Sequence, residues 1–286
     1  MVVTGMPRAI SVWSESGGDG KTTMTLNVGA ALGRRGHDVL LVDVDAQPAS
    51  LTNHVGLAEY KQSEGTTIVD VLMNEDVHLD EVIVEQKDFD VVPAHEDLAF
   101  IDKQIALENI SGAEFLLRPE IERLSEDYDY FLIDCPASLG TVVNNALIAT
   151  RNVLMPVELT EKGRVSVGGL EDTISAMEKG LQRIDDSISL SILGLVPNRV
   201  RDSNIYENVR SDLHDSGRLV LPIDVRQRDV LKSAWRENQS IYEYSDGHDL
   251  RDYESDVLDQ FDKLAGLIDG EFSLDDGSIV EKTEVA

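Results

Sequence analysis

A mostly parallel, doubly wound α/β sheet with helices on both faces is the fold that this 286-residue sequence predicts. Two observations carry it. Short apolar runs recur along the chain, and stretches with helical spacing lie between them. Strands that alternate with helices favour parallel pairing, because a helix returns the chain to the starting edge and covers the sheet.

The elements follow in order. Ala9–Trp13 is the first apolar run and ends at Ser14. Thr22 to Arg34 then has Met24, Val28, Ala31 and Leu32 at helical spacing, and Gly36 is a stop signal. Val39–Val42 is a second buried strand and Asp90–Val92 a third. Tyr130–Ile133, Val153–Val157 and part of Ile188–Val196 continue the series. Gly163–Lys179 and Asn204–Leu213 are helices between strands, and roughly 249–268 is a closing helix. With no internal repeat and no linker, residues 9–268 are expected to form one domain. Residues 1–8 are expected to be a flexible start, and the acidic, poorly patterned residues 269–286 a disordered tail.

Composition bounds the function. Hydrophobic residues make up 42% of the chain but aromatics only 5%, so the core must rest on Leu, Val, Ile and Ala. No run of about 18 apolar residues occurs, which argues against a membrane span. The first eight residues lack the pattern of a signal peptide. The one cysteine, Cys135, permits neither an intrachain disulfide nor a CxxC site. A cytoplasmic location is expected. The net charge is −29, with 31 Asp and 23 Glu against 9 Lys and 16 Arg, spread along the whole chain. Such a chain ordinarily repels nucleic acid and anionic membrane. Its diffuse acid excess and scarce lysine resemble proteins of extreme halophiles, which work in molar salt where the Debye length is about 3 Å.

Ser14-Glu15-Ser16-Gly17-Gly18-Asp19-Gly20-Lys21-Thr22-Thr23 lies between the first strand and the first helix. Glycines let backbone N–H groups converge on phosphate oxygens, and the helix start adds about half a positive charge. In that setting Lys21 would reach the β- and γ-phosphates, and Thr22 would offer its hydroxyl to Mg2+. The strict Gly-x4-Gly-Lys-Thr pattern needs glycine at position 15, where Glu15 stands. The loop resembles instead the deviant P-loop of the ParA/MinD family, Lys-Gly-Gly-x-Gly-Lys-Thr-Thr. Gly17, Gly18, Gly20, Lys21, Thr22 and Thr23 match, Asp19 takes the variable place, and Ser16 stands where the family has its signature lysine.

Further segments resemble the same family, over roughly residues 9–265. Val39 to Pro48 is similar to its second motif, an apolar strand ending in Asp-x-Asp-Pro-Gln, with Ala46 in place of the proline. Asp43 and Asp45, two apart, are expected to share one side of the strand at its C-terminal edge, where open α/β sheets bind ligands. The resemblance implies that Asp45 orients the attacking water and that Asp43 lies near Mg2+ and its waters. Tyr128 to Pro136 resembles a Walker B strand, implying that Asp134 holds Mg2+ through water; Cys135 is expected only to pack beside it. Leu195 to Val200 resembles the family strand ending in Asn-Arg, which makes Asn198 the reader of the adenine edge. Leu221-Pro222-Ile223-Asp224 resembles the loop bordering the base, which brings in Pro222.

The resemblance implies a P-loop ATPase with ATP and Mg2+ as cofactors, acting in plasmid or chromosome partition. Its partners would be a second copy in an ATP-dependent homodimer, non-specific DNA, and a ParB-like or other centromere-binding protein that stimulates hydrolysis. Ser16 offers a hydroxyl but no charge, so Lys162 and Arg164 are candidates to replace the lysine. Local basic exceptions in the acidic chain, Arg199, Arg201, Arg226, Arg228, Lys232 and Arg236, are the candidate DNA contacts, with Arg228, Lys232 and Arg236 along one helical face. Alternatives are a MinD-like positioning ATPase, a small-molecule synthetase of the same fold, and a nucleotide-binding scaffold with weak turnover. Residues 273–286 have one lysine and four acids, so direct membrane binding is not expected.

Overall fold

The computed structural model describes residues 8–183, 186–201, 204–275 and 278–281. Its main sheet has eight strands: β1 (Arg8–Val12), β2 (Val39–Asp43), β3 (Val84–Glu85), β4 (Asp90–Val92), β5 (Tyr130–Asp134), β6 (Asn152–Glu158), β7 (Ser191–Val200) and β8 (Val225–Arg226). They lie in the order β3-β4-β2-β5-β1-β6-β7-β8. All neighbours are parallel except β3 and β4. The doubly wound parallel sheet is therefore present, with an antiparallel edge strand too short for any periodicity to announce. Most of the expected bounds hold within two or three residues.

The helices are α1 (Lys21–Arg34), α2 (Leu51–His54), α3 (Ile68–Val71), α4 (Ile101–Glu108), α5 (Leu117–Arg123), α6 (Thr141–Thr150), α7 (Glu161–Leu181), α8 (Asn204–Asp215), α9 (Asp229–Arg236), α10 (Ile241–Gly247) and α11 (Asp252–Asp269). Alternate strand residues feed two cores, as a pleated sheet covered on both faces requires. Leu40, Val42, Phe131 and Ile133 face α4 to α8. Val39, Leu41, Tyr130 and Leu132 face α1 and α9 to α11. Helix α1 is buried nearly all round, because α11 covers its outer side with Val257, Phe261 and Leu264. Burying one such phenylalanine is worth about 1.5–3 kcal/mol. Asn27 of α1 also accepts from the Ile241 N–H at 2.8 Å, tying α10 to the same helix.

Close packing of α1 has a local cause. A Cβ on Gly33 would lie 1.7 Å from the backbone oxygen of Asp88, and one on Gly29 would lie 2.6 Å from Leu41. The helix ends at Arg34, and Gly36 turns the chain in the left-handed region at φ 91°.

Of the expected flexible start, residues 1–7 lie outside the described residues, and Arg8 already belongs to β1. Part of the expected disordered tail is ordered: β9 (Phe272–Asp275) pairs antiparallel with β10 (Ser278–Glu281). Two strands alone are marginal in water. Here Phe272 packs so closely on α11 that a Cβ on Gly266 would be 2.3 Å from its ring. Arg35, just past α1, holds Asp269 at 2.5 Å and also pairs with Glu271.

Two glycine exchanges separate packing from chain entropy. Gly33→Ala should destabilise the fold by about 1–3 kcal/mol, since backbone must move. Gly180→Ala, in α7 with nothing within 4 Å of the new methyl, should stabilise it by about 0.4–1 kcal/mol. Urea unfolding in molar KCl measures both.

Candidate active site

The C-terminal ends of β1, β5 and β2 meet at one pole. Asp134 is in register with Val12 on one side and with Asp43 on the other. Trp13, fully buried, follows β1, and its indole N–H donates to the Pro136 carbonyl at 3.0 Å, which ties the loop after β1 to the loop after β5. From Ser14 to Gly20 the chain wraps the start of α1. Gly18 and Gly20 both have left-handed φ, 88° and 92°. Gly20 caps α1 without a side-chain bond, so no side chain covers the N–H groups of the first turn.

Lys21 is buried, and its Nζ donates back to the Ser16 carbonyl at 3.0 Å. The Thr22 hydroxyl donates to Asp134 Oδ2 at 2.8 Å, and the Thr25 hydroxyl reaches Asp134 Oδ1 at 3.4 Å. Thr23 sits on α1 with its carbonyl accepting from Asn27 at 2.8 Å. The Asp19 carboxyl is raised above its ordinary value by burial, against which a Ser14 hydrogen bond and the charges of Lys21 and Lys162 act.

Asp43 and Asp45 do not share a strand face as expected. β2 stops at Asp43 and the chain turns. Asp43 Oδ1 accepts from the Asp45 N–H at 2.9 Å, and Asp45 Oδ1 accepts from the Gln47 N–H at 2.9 Å. The other Asp43 oxygen accepts from the Ser50 hydroxyl at 2.6 Å, the Thr52 N–H at 2.7 Å and the Thr52 hydroxyl at 2.6 Å. Asp43 is thus the buried anchor of the loop carrying Asp45, and its oxygens are engaged by the chain itself. Burial raises its carboxyl, opposed by the Ser50 and Thr52 bonds and by the Lys61 charge. Asp134 is raised well above the usual range, first by burial and next by the charge of Asp43.

Asn198, expected to read a base, also ties down the P-loop. Its amide donates to the Asp19 carbonyl at 2.6 Å, and a Cβ on Gly20 would be 2.0 Å from that nitrogen. Arg199, expected at DNA, has left-handed φ at 53° where β7 bulges against β8, and its guanidinium lies 3.7 Å from the Cβ position of Gly18. Pro222 is half-buried in the segment between the Leu195–Val220 bridge and β8. Ser16 does not reach outward alone: its hydroxyl pairs with that of Ser166 on α7 at 3.2 Å, and Glu15 accepts from Thr173 on α7 at 2.8 Å. Of the two candidate replacements for a lysine there, Arg164 is paired with Glu161 at 3.0 Å, while exposed Lys162 acts on Asp19.

The expected basic face of α9 is corrected by where that helix starts. Asp229 is its first residue, so Arg228 is an extended N-cap turned to Asp256 of α11 at 2.5 Å. Lys232 pairs with Asp229 at 2.8 Å, and Arg236 is exposed at the helix end. Arg201 donates to Gln227 at 2.7 Å, and Arg226 lies at the end of β8.

Lys61, which no motif marks, also reaches the Asp45 loop. Its Nζ donates to the carbonyls of Asp45 at 2.9 Å and Gln47 at 2.7 Å. No spacing signal marks it, because the contact depends on how the chain returns after α2.

Residues 7–190 match the family described as AAA domain. Over 189 residues the chain is 36% identical to the uncharacterized protein Rv1708 of Mycobacterium tuberculosis, covering 65% of this chain but only 57% of that relative's length. It is 31% identical over 224 residues to the sporulation initiation inhibitor protein Soj of Bacillus subtilis, covering 77% of this chain and 86% of Soj. Among solved structures it is similar to cobyrinic acid a,c-diamide synthase from Mycobacterium smegmatis with bound ATP analog and magnesium, at 27% identity and a TM-score of 0.72, covering 91% of this chain and 92% of that one.

The raised Asp134 carboxyl gives a pH test. The folded chain keeps that proton where the unfolded chain has lost it, so stability of the protein in EDTA should fall as pH rises from about 4. Asp134→Asn keeps an acceptor for Thr22 and removes the charge. It is expected to be about 0.5–2 kcal/mol more stable at pH 7 and to show a flatter pH slope in urea unfolding. An unchanged slope would remove Asp134 as its source.

Proposed function

The chain belongs to the ParA/MinD/Soj family of deviant P-loop ATPases, and from that premise we propose that it is an ATP-hydrolysing partition switch acting on DNA. The observation that carries the site is the Thr22–Asp134 bond at the start of α1, with Lys21 folded into the same loop.

The residues present suit a nucleotide and its cation. A Cβ at Gly17 would meet open space, and the first-turn N–H groups of α1 point to the loop without a capping side chain. Among the described residues no cluster of three acidic, histidine or cysteine side chains forms a metal site by itself. Mg2+ would be held by few protein groups together with phosphate oxygens. Held there by Thr22 and, through water, by Asp134, Mg2+ would supply positive charge against the negative charge that develops on the phosphates.

In this reading Gly17, Gly18, Asp19, Gly20 and Thr23 line the phosphates through backbone N–H groups. Lys21 turns from the Ser16 carbonyl to the β- and γ-oxygens. Thr22 would offer its hydroxyl to the ion, and Asp134 would hold the ion through water. Asp45 accepts a hydrogen bond from the attacking water and aligns it with the γ-phosphorus. Asp43 keeps the Asp45 loop in place and lies near the ion only at that remove. Asn198 fixes the loop through one amide N–H and reads the adenine edge with the rest of its amide, with Pro222 beside the base. In this reading ATP favours a homodimer that binds DNA, and a ParB-like partner stimulates hydrolysis and release. Lys162, beside Asp19, is the better placed of the two candidates to supply the charge that Ser16 lacks.

A second reading is favoured by the likeness to the diamide synthase: the same ATP site could activate a small carboxylic acid. Turnover that rises with DNA supports partition, and turnover that rises only with an acid and an amide donor supports synthesis.

Calorimetry with Mg-ATP in molar KCl should show uptake, and Lys21→Ala should weaken it at least about tenfold through loss of a charge-assisted contact. Sedimentation of Asp45→Ala with ATP should show a trapped dimer that carries DNA with it. A dimer indifferent to DNA would move the assignment to positioning or scaffolding, and absent ATP uptake would end it.

A further inference from the structure

Lys61 lies in the 3-10 helix Ala58–Gln62 and is only 7% exposed. Its ammonium is committed to two backbone oxygens, those of Asp45 and Gln47. Three carboxylates, Asp43, Asp45 and Asp134, lie near enough to stabilise its charge against the loss of water. A buried lysine is a demanding way to fill space, since an apolar side chain of similar volume carries no desolvation penalty. What the lysine adds is direction: its N–H groups point at chosen acceptors.

Those acceptors flank one residue. Between the two carbonyls stands Ala46, whose φ no ring constrains. The Asp45 N–H is held by Asp43, and the Asp45 carboxylate is held by the Gln47 N–H. Without Lys61, the loop would be tied at its entrance, at Ser50 and Thr52, and at the Gln47 carbonyl, which also accepts from the Ser50 N–H at 3.1 Å, while the peptide after Asp45 would be able to rotate. Rotation there swings the Asp45 carboxylate.

We propose that Lys61 is a positioning residue that braces the Asp45–Gln47 backbone and so sets the rate of hydrolysis without contributing to ATP uptake. The inference rests on the ATPase reading above.

The test uses the full chain in molar KCl with Mg-ATP. Uptake by the wild type is measured first by calorimetry; its absence would sink the ATPase reading itself, before any variant is judged. Lys61→Met should bind ATP within about threefold of wild type and keep a similar KM, while kcat falls about 100-fold, the scale of a misplaced reacting group. Lys61→Arg, which can donate to both carbonyls, should recover most of the lost kcat. A merely structural lysine would not give that split or that rescue. Lys61→Met turning over at the wild-type rate, or losing uptake in step with kcat, overturns the proposal. Should Lys61→Met show no cooperative unfolding transition, Lys61→Gln serves in its place with the same two readouts.

Discussion

Asp43 and Asp134 face each other in register on adjacent strands, both shut away from water. Two carboxylates so placed repel, and each is held by a different piece of chain. Thr22 and Thr25 of α1 donate to Asp134, while Ser50 and Thr52 donate to Asp43. The P-loop helix on one side and the Asp45 loop on the other are therefore oriented by a single buried acidic pair. Lysines stand at both flanks, Lys21 near Asp134 and Lys61 near Asp43. Strained electrostatics of this kind are common where a ligand is meant to supply the missing charge.

Much of this was legible in the chain and some was not, for a physical reason. Lys21, Thr22 and Asp134 follow from local grammar: a glycine loop between strand and helix, and an apolar strand ending in an acid. Alternating strands and helices put such strand tips at one edge of a parallel sheet, but which strands are neighbours is settled only by the fold. Asp43 was legible as a residue but not in its role, because a side chain's partners depend on how the next ten residues fold back. Asn198 and Arg199 meet the P-loop from the end of β7, beside the register shift between Asn198 and Val200 in the β7–β8 pairing, which spacing does not announce. Spacing also assumed that Arg228 lay inside α9; the helix begins one residue later, and the guanidinium turns to another element. The β9–β10 pair escaped notice because its supports, Gly266 and Arg35, lie elsewhere in the sequence.

The acid excess shapes how the cations are used. Arg34 engages Asp88 and Asp246, Arg210 engages Asp224, and Arg218 engages Glu171. Such half-buried surface pairs are each worth about 1 kcal/mol or less and are weakened by salt. They still draw basic side chains toward the protein's own acids. Any anionic partner has to compete with neighbours such as Asp256 and Asp229 for Arg228 and Lys232.

Helix α1 gives the molecule a built-in connecting rod. Its fourteen residues span about 21 Å, from the glycine loop at one end to Arg35 at the other. Arg35 grips Asp269 and Glu271, beside the terminal strand pair. That remote corner hangs from the same helix as the glycine loop, which makes it a natural place to attach a reporter of events at the opposite pole.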